Sequence, residues 1–387
     1  MNTKTIMFEN RSWITGATSV CPLGNTPDKA VDSILADEKA FTTEHRYQHL
    51  IRQPCAQIVS GNQGESTQTD FNTDDFLVRI SDNCLSQLLT ETRVLERYQP
   101  SEVGLFLGTT TMGIFASLQQ FGLATNAKAE SFYLSATMQQ NTLLERLLDR
   151  HPIRGFSEIY STACSSGALA ILQGHDAVRS GMLKACIAGG FDVLTPVTLA
   201  GFSSLQVISS VPAVPFSKSC EGVTLSEGGG LILIEKQPGM NPFGSILGGA
   251  SGSECWHLTQ PEPNGLGMVR TMEAALNEAK VTPDQISYIN AHGTGTPAND
   301  KAESRAIKKL FEPTIPYHST KQWHGHTLAG SGALETVMTL KLLQRPESLG
   351  VLLPGFDGRR RKPLALTNSF GFGGSNVSLV IERASYG

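Results

Sequence analysis

Cys164 lies in Ser161-Thr162-Ala163-Cys164-Ser165-Ser166-Gly167, where small neighbours leave its sulfur uncrowded. Upstream, Phe156-Ser157-Glu158-Ile159-Tyr160 reads as a strand entering a turn. Downstream, Ala168, Leu169, Ile171, Leu172, Ala177 and Val178 recur at helical spacing. The cysteine is therefore expected where a strand turns into the start of a helix. Free backbone N–H groups and the positive end of the helix dipole meet there. Both favour the thiolate, which is the nucleophilic form. The plain alternative is a buried structural cysteine, and the local sequence leaves both readings open.

Three later segments also set reactive or bulky side chains between glycines. They are Asn290-Ala291-His292-Gly293-Thr294-Gly295-Thr296-Pro297-Ala298-Asn299-Asp300, Lys321-Gln322-Trp323-His324-Gly325-His326, and Asn368-Ser369-Phe370-Gly371-Phe372-Gly373-Gly374. Loops carried on a rigid scaffold are where function collects. One cysteine and two histidines suffice for thioester chemistry. The thiolate attacks a thioester carbonyl, and N–H groups at a helix start and in a glycine-rich loop hold the oxyanion. Two imidazoles can then donate to a developing enolate oxygen, as decarboxylation of a malonyl group requires. Each segment also has a plainer reading. His292-Gly293 can be a simple turn. His324 and His326 can be a surface pair, and their i, i+2 spacing without carboxylates is poor for a metal. The Phe370–Gly374 glycines can cradle a phosphate, but they lack a P-loop lysine and GxGxxG spacing.

The elements that must position these groups follow from periodicity. Trp13-Ile14-Thr15-Gly16-Ala17-Thr18-Ser19-Val20 reads as a strand, as do residues 103–108, 185–190 and 230–235. Phe76, Ile80, Cys84 and Leu88 mark one helix face, and Leu143, Leu144, Leu147 and Leu148 another. Residues 61–74 are polar and irregular, like a surface excursion. After residue 240 the pattern echoes itself. Residues 246–251 resemble the first strand, 268–280 are helical in pattern, and 286–293 run as a strand into a His-Gly turn. Alternating strands and helices imply parallel sheet with covered faces. The expectation is two similar α/β halves, residues 1–240 and 241–387.

Composition narrows the class. The chain has 387 residues, 40% apolar and 17% charged, enough for a large core. A net charge of −4 is too mild for a nucleic-acid or membrane-surface protein. Seven cysteines, an odd number without a CxxC pair, argue against a disulfide framework and a structural zinc site. Residues 1–10 hold no apolar signal core, and no apolar run reaches about 18 residues. A cytoplasmic location is expected, with no nucleic-acid or membrane partner.

Taken together, the motifs resemble the β-ketoacyl-(acyl carrier protein) synthases of the thiolase superfamily, over nearly the whole chain. TACSSG, HGTGTxxND, a lysine-containing GH loop and NSFGFGG occur in the family's order. The resemblance implies duplicated α/β halves in five layers (α-β-α-β-α), with mixed sheets around a buried helix layer. It implies elongating Cys-His-His chemistry, a decarboxylative condensation of an acyl chain with malonyl-acyl carrier protein, with no cofactor and no metal. By the same resemblance, Cys164 is the acylated nucleophile. His292 and His326 promote decarboxylation, and Lys321 supports the second histidine and the charge balance. Phe372, between Gly371 and Gly373, is the gate, and N–H groups of Cys164 and Phe372 form the oxyanion hole. Asp300 and Glu303 match acidic residues that support the site. Met112 or its neighbours are expected along the acyl pocket. The implied partners are acyl carrier protein and a second subunit, as a homodimer or a heterodimer with a chain-length-factor-like chain.

Departures bear on the pathway. The family's Pro-Phe-Asp-Lys-x-Arg-Asp-Gly run reads Pro215-Phe216-Ser217-Lys218-Ser219-Cys220-Glu221-Gly222 here. Ser217 and Cys220 alter carrier-protein docking or local ion pairing rather than chemistry. The resemblance implies fatty-acid biosynthesis or a specialised polyketide or aryl-polyene-type pathway, and residues 130–154, which differ from housekeeping fatty-acid versions, suit the specialised one. Two other readings compete. A non-catalytic chain-length factor would lack the cysteine. A cysteine hydrolase of another fold would have no use for a second histidine or the NSFGFGG loop.

Overall fold

The computed structural model describes residues 11–58, 71–119, 139–219, 221–239, 241–311, 315–345, 349–350 and 364–384. Cys220, residues 61–70 of the polar excursion and 130–138 of the divergent segment lie outside the described residues.

The first half contributes β1 (Ser12–Val20), a small separate pair β2 (Phe41–Thr42) and β3 (Cys55–Ala56), then β4 (Val103–Gly108), β5 (Glu158–Tyr160), β6 (Ala185–Asp192) and β7 (Gly228–Glu235). The second contributes β8 (Gly244–Ser253), β9 (Ile286–Asn290), β10 (Tyr317–His318), β11 (Leu364–Phe370) and β12 (Ser375–Arg383). All but β2 and β3 join one sheet, in the order β10-β9-β11-β12-β8-β1-β7-β6-β4-β5. The halves meet edge to edge through three residue pairs: Ser12 with Ile246, Trp13 with Ser245 and Ile14 with Gly244.

Within each half the wiring is the same. The first strand runs antiparallel to the last, and the last antiparallel to the fourth. The fourth is parallel to the second, and the second to the third. The echo between residues 14–19 and 246–251 thus falls on β1 and β8, the first strand of each half.

The helices used below are α1 (Pro27–Leu35), α2 (Thr73–Thr92), α3 (Asn141–Arg150), α4 (Ser166–Ser180), α5 (Pro196–Ser204), α6 (Leu266–Ala279), α7 (Pro297–Leu310) and α8 (Ser331–Gln344). α4 and α8 pack on each other and on strands of both halves, forming the inner layer. α2, with α3 against it, covers β1 and β7 outside. α6, with α7 against it, covers β8 and β12. This is the five-layer α-β-α-β-α arrangement. In α8 every residue is buried except Lys341 and Gln344. A buried leucine there, such as Leu334 or Leu340, contributes about 1.5–3 kcal/mol.

Both inner helices begin the same way. A 3-10 turn at Ala163–Ser165 leads into α4, and one at Leu328–Gly330 leads into α8. Ala163 and Leu328 both take φ of +51, costly for a residue with a Cβ. Thr162-Ala163-Cys164-Ser165-Ser166-Gly167-Ala168-Leu169 aligns with Thr327-Leu328-Ala329-Gly330-Ser331-Gly332-Ala333-Leu334. Ala329 is thus the second half's counterpart of Cys164. The turns sit close because Gly167 carries no side chain: a Cβ there would meet Ala329 O at 2.7 Å.

Candidate active site

β5 begins at Glu158, two residues later than the Phe156–Tyr160 reading, and ends at Tyr160, and the turn at Ala163–Ser165 delivers Cys164 to the start of α4. Ser166 Oγ braces that turn by accepting from Thr162 N–H at 2.9 Å and donating to Ala163 O at 2.6 Å. Cys164 is only 6% exposed. It opens on a cavity of about 260 Å³ that Phe202, His257, Thr294, Thr296, His292 and His326 help to line. Met112 is buried in the outer core of the first half and is not among the residues lining this cavity.

His326 Nε2 lies 3.1 Å from Cys164 Sγ. His326 Nδ1 accepts the backbone N–H of Leu328 at 3.2 Å and contacts Ser331 Oγ at 2.8 Å. A nitrogen that accepts a backbone N–H carries no proton, so the neutral ring holds its proton on Nε2, toward the sulfur. The other ring is held in the same sense. Lys321 Nζ, a donor only, stands 3.4 Å from His292 Nδ1 and donates to His292 O at 2.7 Å. The two imidazoles meet edge to face, centroids 5.4 Å apart. Burial and the Lys321 charge hold both well below the ordinary histidine range, so both are neutral near pH 7.

Lys321 supports the first histidine, not the second as the resemblance implied. Its ammonium pairs with Glu335 in a buried ion pair. Spacing gave no sign of Glu335, whose importance depends on that tertiary contact. Glu303 accepts the N–H groups of His292 and Gly293, each at 2.8 Å, and so fixes the histidine's backbone. Asp300 lies a turn earlier and accepts from Phe216 N–H at 2.7 Å and Gly295 N–H at 3.2 Å, tying the 215–217 segment to the loop after His292.

Phe372 stacks on Phe202 of α5, centroids 5.6 Å apart and planes 21° apart. Its loop is held by Gly371 N–H to Ser375 O and Gly373 N–H to Leu258 O, both 2.7 Å. The N–H groups of Phe372 and of Cys164 itself both favour the charged form of the sulfur. The sequence-based expectation of a stabilised thiolate is nevertheless reversed. Burial pushes the Cys164 thiol up to about 12, against the help of Lys321, and the nearby Asp192 carboxylate adds to the rise. The resting site holds a thiol beside neutral imidazole.

Sγ and one nitrogen from each histidine lie within 4.8 Å of one another, close enough to share an ion. The Lys321 ammonium beside His292 opposes a cation there. Among the described residues no helix is long and apolar enough to cross a membrane.

A buried cysteine at an inner-helix start, faced by two Nε2–H imidazoles on duplicated α/β halves, defines a condensing enzyme of thiolase-like fold. The chain belongs to the β-ketoacyl synthase family: its N-terminal domain model matches residues 10–238 and its C-terminal domain model residues 243–349. It is an acyltransferase of the ketosynthase class. Similar curated proteins include the 3-oxoacyl-(acyl-carrier-protein) synthase 2 of Synechocystis sp., 28% identical over 97% of this chain and 98% of the relative. The enzyme of the same name from Vibrio cholerae is 28% identical over 97% and 100%. Among solved structures, a chain of the ketosynthase (ApeO) in complex with its chain length factor (ApeC) from Xenorhabdus doucetiae is 27% identical. Its TM-score is 0.78 over 96% of this chain and 98% of that one. A β-ketoacyl synthase from Burkholderia phymatum, 23% identical over 97% of this chain and 100% of that one, shares the fold at a TM-score of 0.81.

Proposed function

We propose that the protein elongates acyl chains by decarboxylative condensation with malonyl-acyl carrier protein, giving a β-ketoacyl-carrier protein two carbons longer. The observation that carries this is the convergence of both histidines on one cysteine, with His326 Nε2 3.1 Å from Cys164 Sγ. Cys164 attacks the acyl thioester, and N–H groups of Cys164 and Phe372 hold the oxyanion. The carrier-protein sulfur leaves and takes, in net, the thiol proton. Malonyl-carrier protein then loses CO2, and Nε2–H of His292 and of His326 hold the enolate oxygen. The enolate carbon attacks the acyl-Cys164 thioester and expels the cysteine thiolate, which takes a proton from solvent to restore the resting thiol. Lys321 with Glu335, and Asp300 and Glu303, hold these groups in place, while Phe372 gates between them. No cofactor or metal is required by this sequence of steps.

The partners on this reading are acyl- and malonyl-loaded carrier protein, in the cytoplasm, with neither nucleic acid nor membrane. The product serves fatty-acid or specialised polyketide or aryl-polyene-type biosynthesis, and the sequence departures at Ser217, Cys220 and residues 130–154 favour the specialised pathway. Incubation with an acyl-carrier protein and malonyl-carrier protein, read by mass spectrometry of the carrier protein, tests the reading. A β-ketoacyl product two carbons longer is expected. Hydrolysis of the acyl thioester with no condensed product would overturn it.

A specific observation also favours a second subunit. β5 is an edge strand, and beside it Phe156 is 54% exposed and Met182 65% exposed. Such an edge with apolar flanks suits pairing with another chain. The second chain is either a copy of this one or a chain-length-factor-like subunit. Native mass spectrometry after co-expression with neighbouring ketosynthase-like genes separates the two.

A further inference from the structure

Asp192 ends β6, is fully buried, and has no part in the steps above. Every hydrogen bond the structure gives its carboxylate comes from a donor. Oδ1 accepts from Thr109 Oγ1 at 2.8 Å, Thr110 N–H at 2.8 Å, Thr111 N–H at 3.0 Å and Thr111 Oγ1 at 2.9 Å. Oδ2 accepts from Thr110 Oγ1 at 2.5 Å and Ala329 N–H at 2.9 Å. Burial pushes this carboxyl up, and the donors on both oxygens oppose that rise by favouring the ionised form.

These donors belong to two different parts of the site. Thr109–Thr111 follow β4, whose last residue, Gly108, lies under the start of α4. A Cβ on Gly108 would meet Gly167 N at 2.5 Å. That side therefore bears on the helix that directly follows Cys164. Ala329 is the middle of the turn before α8, the counterpart of Cys164 in the second half. Its neighbour Leu328 gives the N–H that holds His326 Nδ1. Asp192 thus joins the floor of the nucleophile's helix to the turn that orients the second histidine.

We propose that Asp192 is a positioning residue for decarboxylation, pinning the Leu328–Gly330 turn so that His326 presents Nε2–H at Cys164. The proposal rests on the condensing function above. Asparagine would not replace it. Its oxygen can serve only one side, and the four donors at Oδ1 claim it. Its NH2 then faces the Ala329 N–H, donor against donor, and the turn is released at nearly constant side-chain volume.

The test separates the two half-reactions in the full chain. Transfer of an acyl group onto Cys164 is read by intact mass, and decarboxylation of malonyl-carrier protein by release of labelled CO2. For Asp192→Asn we expect decarboxylation to fall at least about tenfold, with acyl transfer within about threefold of the parent. An equal fall in both half-reactions, or no fall in either, overturns the proposal, because a merely structural role would not divide them. Should Asp192→Asn not fold, Thr110→Val decides. It withdraws the other donor from Oδ2 and loosens the carboxylate. A fall in decarboxylation alone, of about threefold, supports the proposal, and equal or absent change overturns it. The parent's own rates keep the questions apart. A parent active in both half-reactions upholds the functional reading whatever the variants do, and one inactive in both overturns the reading and this inference together.

Discussion

Leu328 donates its backbone N–H to Nδ1 of His326 at 3.2 Å, which leaves the ring proton on Nε2, 3.1 Å from Cys164 Sγ. The pair is therefore not a preformed thiolate and imidazolium. Burial pushes the thiol up to about 12, so the thiolate fraction stays small at neutral pH and grows with pH. Alkylation of Cys164 by iodoacetamide should rise about tenfold per unit between about pH 7 and about pH 9, without a plateau. A plateau already reached near about pH 7 would mean a preformed thiolate.

The histidines give a prediction of opposite sign. Burial and Lys321 lower both His292 and His326. Their neutral forms persist as pH falls, so the Nε2–H donors are unchanged. Malonyl decarboxylation should be flat from about pH 8 down to about pH 6. A loss with a midpoint near about 6.5, the ordinary histidine value, would show that the rings are not shielded.

Lys321 and Glu335 are 2% and 0% exposed. Removing one partner leaves the other charge buried without compensation. Glu335→Gln should cost about 3–5 kcal/mol in urea unfolding. Lys321→Met combined with Glu335→Leu should regain most of that stability while decarboxylation stays lost. Recovery of decarboxylation in the double variant would show that the ammonium has no role at His292.

Two adjacent glycines of the Phe372 loop should differ. Gly373 has φ of +78 with nothing within 4 Å of an added Cβ, so Gly373→Ala should cost only about 1 kcal/mol and leave acyl transfer within about threefold. Gly374 has φ of +79, and a Cβ there would lie 2.0 Å from Glu254 O. Gly374→Ala must shift the loop, and acyl transfer should fall about a hundredfold. Equal behaviour of the two variants, in single-turnover acyl transfer, would contradict the role given to the loop's position.

The sequence made some elements legible and hid others for physical reasons. β4, β6 and β7 are buried on both faces and read as continuous apolar runs. α8 is buried nearly all round, so no apolar stripe sets it off in the sequence. The Asn368–Gly374 segment spans the end of β11 and the loop after it, and Asn368 accepts from Ser378 Oγ at 2.7 Å. At the site, Cys164 and His326 stand 162 positions apart, and only the motifs linked them. Asp192, Glu335 and Phe202 act through partners distant in the chain, which spacing does not record. The helix start favours a Cys164 thiolate, but burial, which local sequence does not record, outweighs it.

The central claim is that Cys164 carries the acyl group. Intact-protein mass spectrometry after incubation with acyl-carrier protein alone tests it most directly. The parent should gain the mass of one acyl group, located on Cys164 by peptide mapping, and Cys164→Ala should gain none. An acyl group found on another residue, or retained by Cys164→Ala, would contradict the account.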